Sequence, residues 1–339
     1  MDKLHITESA SPDSKARRRL IASFLTLPAA SLLPNFAQGQ ASNKVLRLIV
    51  PYAAGGSSDY AGRLAAQYLT GPLGTTVVVE NKPGANSIIA AQYVAQSPAD
   101  GTVALLAGTA ATTSNPFLYK KLPYDTEKAF APIGMVSRMP FVVVVNSTSA
   151  VKTIDEFLGT AKKAKTPLNY GSAGNGNPTH LAGALFAQIT GIELQQIPYQ
   201  GSAPSMTALL SGETSASFEV LQTVLPMVKA GRLKILAVMA NERHPKIPDV
   251  PTLAELGFKG LDVSTSFAIL VPAATPAATQ SRLYEALTAA TTNPNFIKSL
   301  DDQALQSYPA MTQAETTALF AKERARWKSV IERNSIKLD

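Results

Sequence analysis

"VPYAAGGSSDYAGRLAAQYL", residues 50–69, is the stretch from which the fold can be read. The apolar run "KVLRLIV" (44–50) stops at Pro51, two glycines and two serines follow, and Leu64, Ala65, Tyr68 and Leu69 then recur at helical spacing. That pattern is a buried strand, a turn stripped of bulky side chains, and a helix. Such a turn lets the backbone come close to a partner. The helix N-terminus behind it carries unpaired N–H groups and about half a positive charge, which suits a small anion.

The same unit recurs outward from there. "TTVVVEN" (75–81), "SIIAAQYVAQS" (87–97) stopped by Pro98, and "GTVALLAG" (101–108) read as strand, helix and strand. After the strand "FVVVVNS" (141–147) the alternation resumes with helix 153–164, strand 168–174, helix 178–190, strand 194–200, helix 203–211 and strands 215–220 and 234–240. Thr153 ahead of Asp155 and Glu156, and Asn177 ahead of Pro178, are helix-start signals. A strand at 267–273 precedes helices around 276–292, 294–302 and 312–333. Strands alternating with helices indicate βαβ units and parallel pairing, an α/β chain with two similar halves.

Two more turns share the design of the first. Gly171-Ser172-Ala173-Gly174-Asn175-Gly176-Asn177 and Gly201-Ser202-Ala203-Pro204 each follow a strand and open a helix. In open α/β sheets such turns stand at the carboxyl ends of strands, where ligands bind. Composition alone therefore nominates three anion-facing turns.

Length and composition bound the rest. A chain of 339 residues has room for two ordinary domains. The formal charge of +7 does not mark a nucleic-acid binder, because Lys and Arg are scattered with no basic run beside aromatic residues outside the leader. There is no cysteine, which excludes disulfides, thiol catalysis, thiolate metal sites and a lipid-bearing cysteine. Arg17-Arg18-Arg19, the apolar stretch 20–33 and the small residues around Gly39 and Ala41 read as a signal peptide over residues 1–41. The competing reading, a membrane span, needs about 20 apolar residues, and Pro28 and Pro34 interrupt this stretch. The paired arginines fit a twin-arginine route as well as the general one. Residues 1–41 hold five basic and three acidic groups, so the mature chain keeps +5 and attracts anions modestly.

Phosphate and catalytic motifs fail in turn. No G-x-G-x-x-G follows the first strand, and Thr179 stands where a third glycine would complete the pattern begun at Gly174. No G-x-S-x-G elbow and no H-E-x-x-H occur, and the mature chain has two histidines. His244, in the proline-rich "NERHPKIPDVPT", reads as a surface residue. His180 reads as a base, as a donor to a bound carboxylate, or as a residue that fixes its own loop. Asp59 is four before Arg63 at the start of a helix, where capping is the simpler role than ligand contact. Glu219 is a charge within an apolar strand and needs a partner: a ligand amine, a protein group or solvent. Trp327 is spaced with Phe320 and Val330 on the last helix and reads as packing.

"IVPYAAGGSSDYAGR", "VVVENKPGANS", "GSAGNGNPTHLAGALF", "IPYQGSAPSMTALLSGE" and "RLKILAVMANERHPKIPDVPTLAELG" together resemble the extracytoplasmic solute receptors of the tripartite tricarboxylate transporter family, the Bordetella-uptake-type binding proteins. The similarity runs from about Val45 through "FAKERARWKSVIERNSIK". It implies a type II periplasmic-binding-protein fold, with lobe 1 from residues 44–142 plus 266–339 and lobe 2 from 143–265. It implies a periplasmic monomer without cofactor, metal, nucleic acid or catalysis, which takes a small carboxylate (dicarboxylate, amino acid or aromatic acid) to membrane transporter subunits. By the same resemblance Gly55, Gly56, Ser57 and Ser58 face Ser172, Asn175, Asn177 and Thr179 across the ligand carboxylate. Tyr52, Asn86, Thr109, Gly174, Gly176, His180, Tyr199, Gly201, Ser202 and Glu219 complete the candidate ligand-binding set. The chain departs from the family pattern at Asn177, where serine is common, at Asn86-Ser87 and at Ser266, near which a tryptophan is usual. Rival readings are a sensor presenting its closed form to a signalling partner, and a hydrolase or isomerase using His180 and Ser172.

Overall fold

Apolar residues dominate both parities of the predicted strands, so each strand needs cover on both faces. The computed structural model describes residues 45–108 and 110–338 and supplies that cover. The predicted leader, residues 1–41, and Thr109 lie outside the described residues.

The first half runs β1 (Leu46–Val50), α1 (Ser57–Leu73), β2 (Val77–Asn81), α2 (Ile88–Ala95), β3 (Val103–Ala107) and the short α3 (Asn115–Leu118). A long strand, β4 (Phe130–Asn146), then leads to α4 (Ile154–Lys163), β5 (Leu168–Ser172), α5 (Pro178–Thr190), β6 (Leu194–Pro198), α6 (Ser202–Ser211), β7 (Ala216–Val220), α7 (Leu221–Lys229) and β8 (Leu233–Met239). The chain ends with β9 (Ser264–Pro272), α8 (Ala277–Thr291), α9 (Pro294–Asp302), the two-residue β10 (Gln306–Ser307) and α10 (Gln313–Arg333). None of the described helices is long and apolar enough to cross a membrane.

Strand order is β2-β1-β3-β9-β4-β7-β5-β6, with β8 and β10 also paired to β4. The βαβ units are parallel as the alternation predicts: β1 with β2 and β3, and β5 with β6 and β7. The sheet as a whole is mixed, because β4 and β9 run against their neighbours. β4 serves two sheets in succession. Its residues 130–140 pair with β9, whereas Phe141 to Asn146 pair with β7 and β8. The predicted strand at 141–147 is only the second part of this 17-residue element. Pro132 and Gly134 are poor strand residues, and the register shifts near Pro132 and Met135 absorb the irregularity.

Period-two alternation distributes the core. Leu46, Leu48 and Val50 of β1 face α1 and α8, while Ile49 joins Ala90 and Val94 of α2. In β4, Val143 and Val145 face one way, with Phe157, Phe186 and Phe218, and Val142 and Val144 pack with Met206, Leu209 and Val224. Trp327 is buried in the first of these clusters, as its spacing on the last helix predicts. The expectation for His244 is overturned. It is 2% exposed, its Nδ1 accepts from the Lys246 N–H, and burial is the main cause of a lowered pKa.

Candidate functional site

The three turns singled out by composition are the N-terminal approaches to α1, α5 and α6. They bring residues to one cavity of about 250 Å³, at the low end for small-ligand pockets. Its walls are Tyr52, Ser57 and Ser58 from the first turn, Ala173, Asn177, Pro178 and Thr179 from the second, and Gly201 and Ser202 from the third. Met139 and Phe141 of β4, Thr265 and Phe267 of β9, and Glu219 and Val220 of β7 complete it.

Each turn is held by its own chemistry. In the first, Asp59 accepts from the Gly55 N–H at 2.9 Å, from Asn81 Nδ2 at 2.9 Å and from Arg63 Nε at 2.9 Å. Burial alone would raise the Asp59 pKa, but Arg63 and the two other donors outweigh it and hold the carboxyl at about 2. Asp59 thus pins the turn from behind and does not line the cavity. Gly55, with φ near +88°, takes a left-handed conformation that a side chain would strain.

In the second turn, Asn177 is the N-cap that its sequence position predicts: its Oδ1 accepts from the Thr179 N–H at 3.1 Å, and Pro178 occupies the first helical position. Thr179 Oγ1 accepts from the Ala173 N–H at 2.8 Å and donates to Asn177 Oδ1 at 3.0 Å. Ser172 is fully buried and accepts from Gln196 Nε2 at 2.6 Å and from the Gly174 N–H at 3.3 Å. His180 Nδ1 accepts from the Gly176 N–H at 3.1 Å, and burial lowers its pKa to about 4. Ser172 is therefore engaged with its own loop and β6, His180 with its own loop, and neither lines the cavity.

Other candidates stand outside the walls. Gly55, Gly56 and Asn175 are exposed at the tips of the first two turns, and Gly174 and Gly176 shape the second with positive φ. Asn86 donates to Asn115 Oδ1 at 2.8 Å, and the Tyr199 hydroxyl donates to Glu213 Oε1 at 2.8 Å. Sequence reasoning misses Met139, Phe141, Thr265 and Phe267. Met139 and Thr265 lie outside the strands predicted from sequence, and Phe141 and Phe267 open them; only the pairing of β4 with β9 beside the turns puts all four on the wall.

Glu219 is 2% exposed, and its Oε1 accepts from the Val220 N–H at 2.9 Å. Burial pushes its pKa up to about 7, with Ser202 and the Val220 N–H pulling the other way. A larger hollow of about 690 Å³ lies at the opposite end of the β4–β7–β5 sheet, between Asn146, Leu210 and Arg232, and includes none of the three turns. Among the described residues no group of three or more His, Asp or Glu is placed to hold a metal.

A family model described as "Tripartite tricarboxylate transporter family receptor" matches residues 61–336. Protein BugT of Bordetella pertussis is 31% identical over 294 residues, spanning 86% of this chain and 90% of that protein. Among solved structures, the periplasmic binding protein BugD superposes with a TM-score of 0.75 at 29% identity, covering 87% of this chain and 99% of BugD. An R. palustris protein solved with adipate gives 0.78 at 28% identity, covering 86% and 98%.

Proposed function

The chain belongs to the tripartite tricarboxylate transporter receptor family, and from that premise we propose that it is an exported receptor that captures a small carboxylate and delivers it to membrane transporter subunits without changing it. The observation that carries the reading is the convergence of three helix-opening turns on one small cavity. Helix dipoles at α1, α5 and α6, and first-turn N–H groups without a side-chain cap at α1 and α6, favour negative charge there, with no basic side chain on the wall to supply it. The adipate in the R. palustris relative supports a carboxylate as the ligand class. Against a hydrolytic reading, the Ser172 and His180 side chains are spent on Gly174, Gln196 and Gly176.

The passage of β4 from one sheet, where it pairs with β9, to the other, where it pairs with β7 and β8, supports a division into two lobes, residues 44–142 with 266–339 and residues 143–265. The cavity walls come from both, so closure of the lobes would seal the ligand from water. Periplasmic location follows from the leader reading together with the family.

The test is thermal unfolding of the purified protein with a panel of mono- and dicarboxylates. A ligand present at about 100 times its Kd stabilises by roughly 2.7 kcal/mol, an easily seen rise in Tm. No shift across the panel, from protein that native mass spectrometry shows to be empty, would contradict the reading.

A further inference from the structure

Glu219 is the one group of the cavity that a carboxylate ligand does not explain. It stands on the wall, is nearly inaccessible, and is met by two protein donors, the Val220 N–H and Ser202. No Lys, Arg or His is among the lining residues, and Tyr52 is the only other ionisable one. Around it, β4 offers Met139 and Phe141, β9 offers Thr265 and Phe267, and the three helix openings offer Ser57, Ser58, Asn177, Thr179 and Ser202. None of these carries a charge.

A buried carboxylate without a cation is costly unless something neutralises it. A dicarboxylate would bring a second negative charge into a cavity that already holds one. A purely apolar tail would leave the Glu219 acid facing hydrocarbon. A ligand with a positive nitrogen satisfies both ends: its carboxylate meets the openings of α1 and α5, and its nitrogen meets Glu219 beside the opening of α6. We propose that the ligand is a carboxylate carrying a cationic nitrogen, an amino acid in the broad sense, and that Glu219 determines this specificity. The inference rests on the carboxylate-receptor reading and narrows its ligand class.

The geometry also fixes a pH signature. In the empty protein Glu219 titrates near pH 7, and a cation beside it favours the ionised form. Affinity for an amino-bearing ligand therefore falls as pH drops below about 7, by up to tenfold per unit. Affinity for a dicarboxylate moves the other way.

The experiment is calorimetric titration of the full protein with matched series of three to six carbons: α- and ω-amino acids, simple monocarboxylates and dicarboxylates. It is run at pH 8 and pH 6 on wild type and on Glu219→Gln. The expected result is a wild-type preference for an amino-bearing member, weakening from pH 8 to pH 6. Glu219→Gln should lose about 30-fold or more in that affinity and become insensitive to pH over this range. Tight binding of a simple monocarboxylate or dicarboxylate, without preference for its amino-bearing counterpart, would overturn the inference while leaving the carboxylate reading intact. Silence from all the series would remove both. Equal loss of every ligand class in Glu219→Gln, with no change in pH dependence, would assign Glu219 a structural role and overturn the proposal.

Discussion

Asp59 shows how much one side chain can organise. It closes the turn before α1 by accepting from Gly55, and it ties that turn to β2 through Asn81. Replacing it with alanine leaves the Gly55 and Asn81 donors without their acceptor, at a cost of about 2 kcal/mol in chemical denaturation. Because its folded pKa of about 2 lies below the ordinary carboxylate value, its contribution is present above about pH 4 and is lost as pH falls toward 2. Wild type and Asp59→Ala should therefore converge in stability in strong acid. Glu219 has the opposite sign. Its folded pKa of about 7 exceeds the ordinary 4.5, so the empty protein keeps a proton there that the unfolded chain has lost. Stability is then lost as pH rises from about 4.5 to 7, on the order of 3 kcal/mol from this group. Denaturant titrations of the empty protein should find Glu219→Gln more stable than wild type at pH 8, with the advantage gone near pH 4.5. Equal pH profiles for the two proteins would contradict the burial of Glu219 as a charged group. At this scale the sequence makes Asn177 and the three turns visible through short-range chemistry. It hides His244, whose polar, proline-rich neighbours suggest a surface but whose ring is covered.

Elements are legible where their signals are local. Helix α5 starts at Asn177 and Pro178 and closes at Gly191 in a left-handed C-cap, all within one short run of continuous sequence. The α7 helix escapes sequence reading because Pro226 lies inside it, and proline inside a helical pattern normally ends the helix. The helical turns at 110–118 are built from small polar residues and Asn-Pro and carry no apolar period. The contact of α5 with its sheet supplies a direct test. A Cβ on Gly183 would lie 2.4 Å from a Tyr170 ring carbon and 2.9 Å from Phe218, too close for rigid rings to yield cheaply. Alanine ordinarily gains about 1 kcal/mol over glycine in a helix interior. Here Gly183→Ala should instead destabilise by about 1–3 kcal/mol in denaturant unfolding, since overpacking outweighs propensity. A stabilised variant would mean that α5 stands further from β5 and β7 than described.

For the whole molecule, the alternation of strand and helix identifies the α/β class and the parallel pairings, because buried parallel strands have a distinctive apolar run. It does not reveal that one continuous strand, β4, serves two sheets, because its pairing partners lie roughly 70 to 140 residues away. That long-range fact creates the cavity: Met139 and Phe141 straddle the change of sheet, and Thr265 and Phe267 face them from β9. The central claim is that a carboxylate lies there, against the openings of α1 and α5. The most direct measurement is a crystal structure of the protein with the best carboxylate from the binding panel. The account predicts carboxylate density within hydrogen-bond distance of the Ser57–Ser58 and Asn177–Thr179 turns, with Glu219 at the far end of the ligand. Density in the 690 Å³ hollow beside Asn146 and Arg232, with the smaller cavity empty, would contradict it.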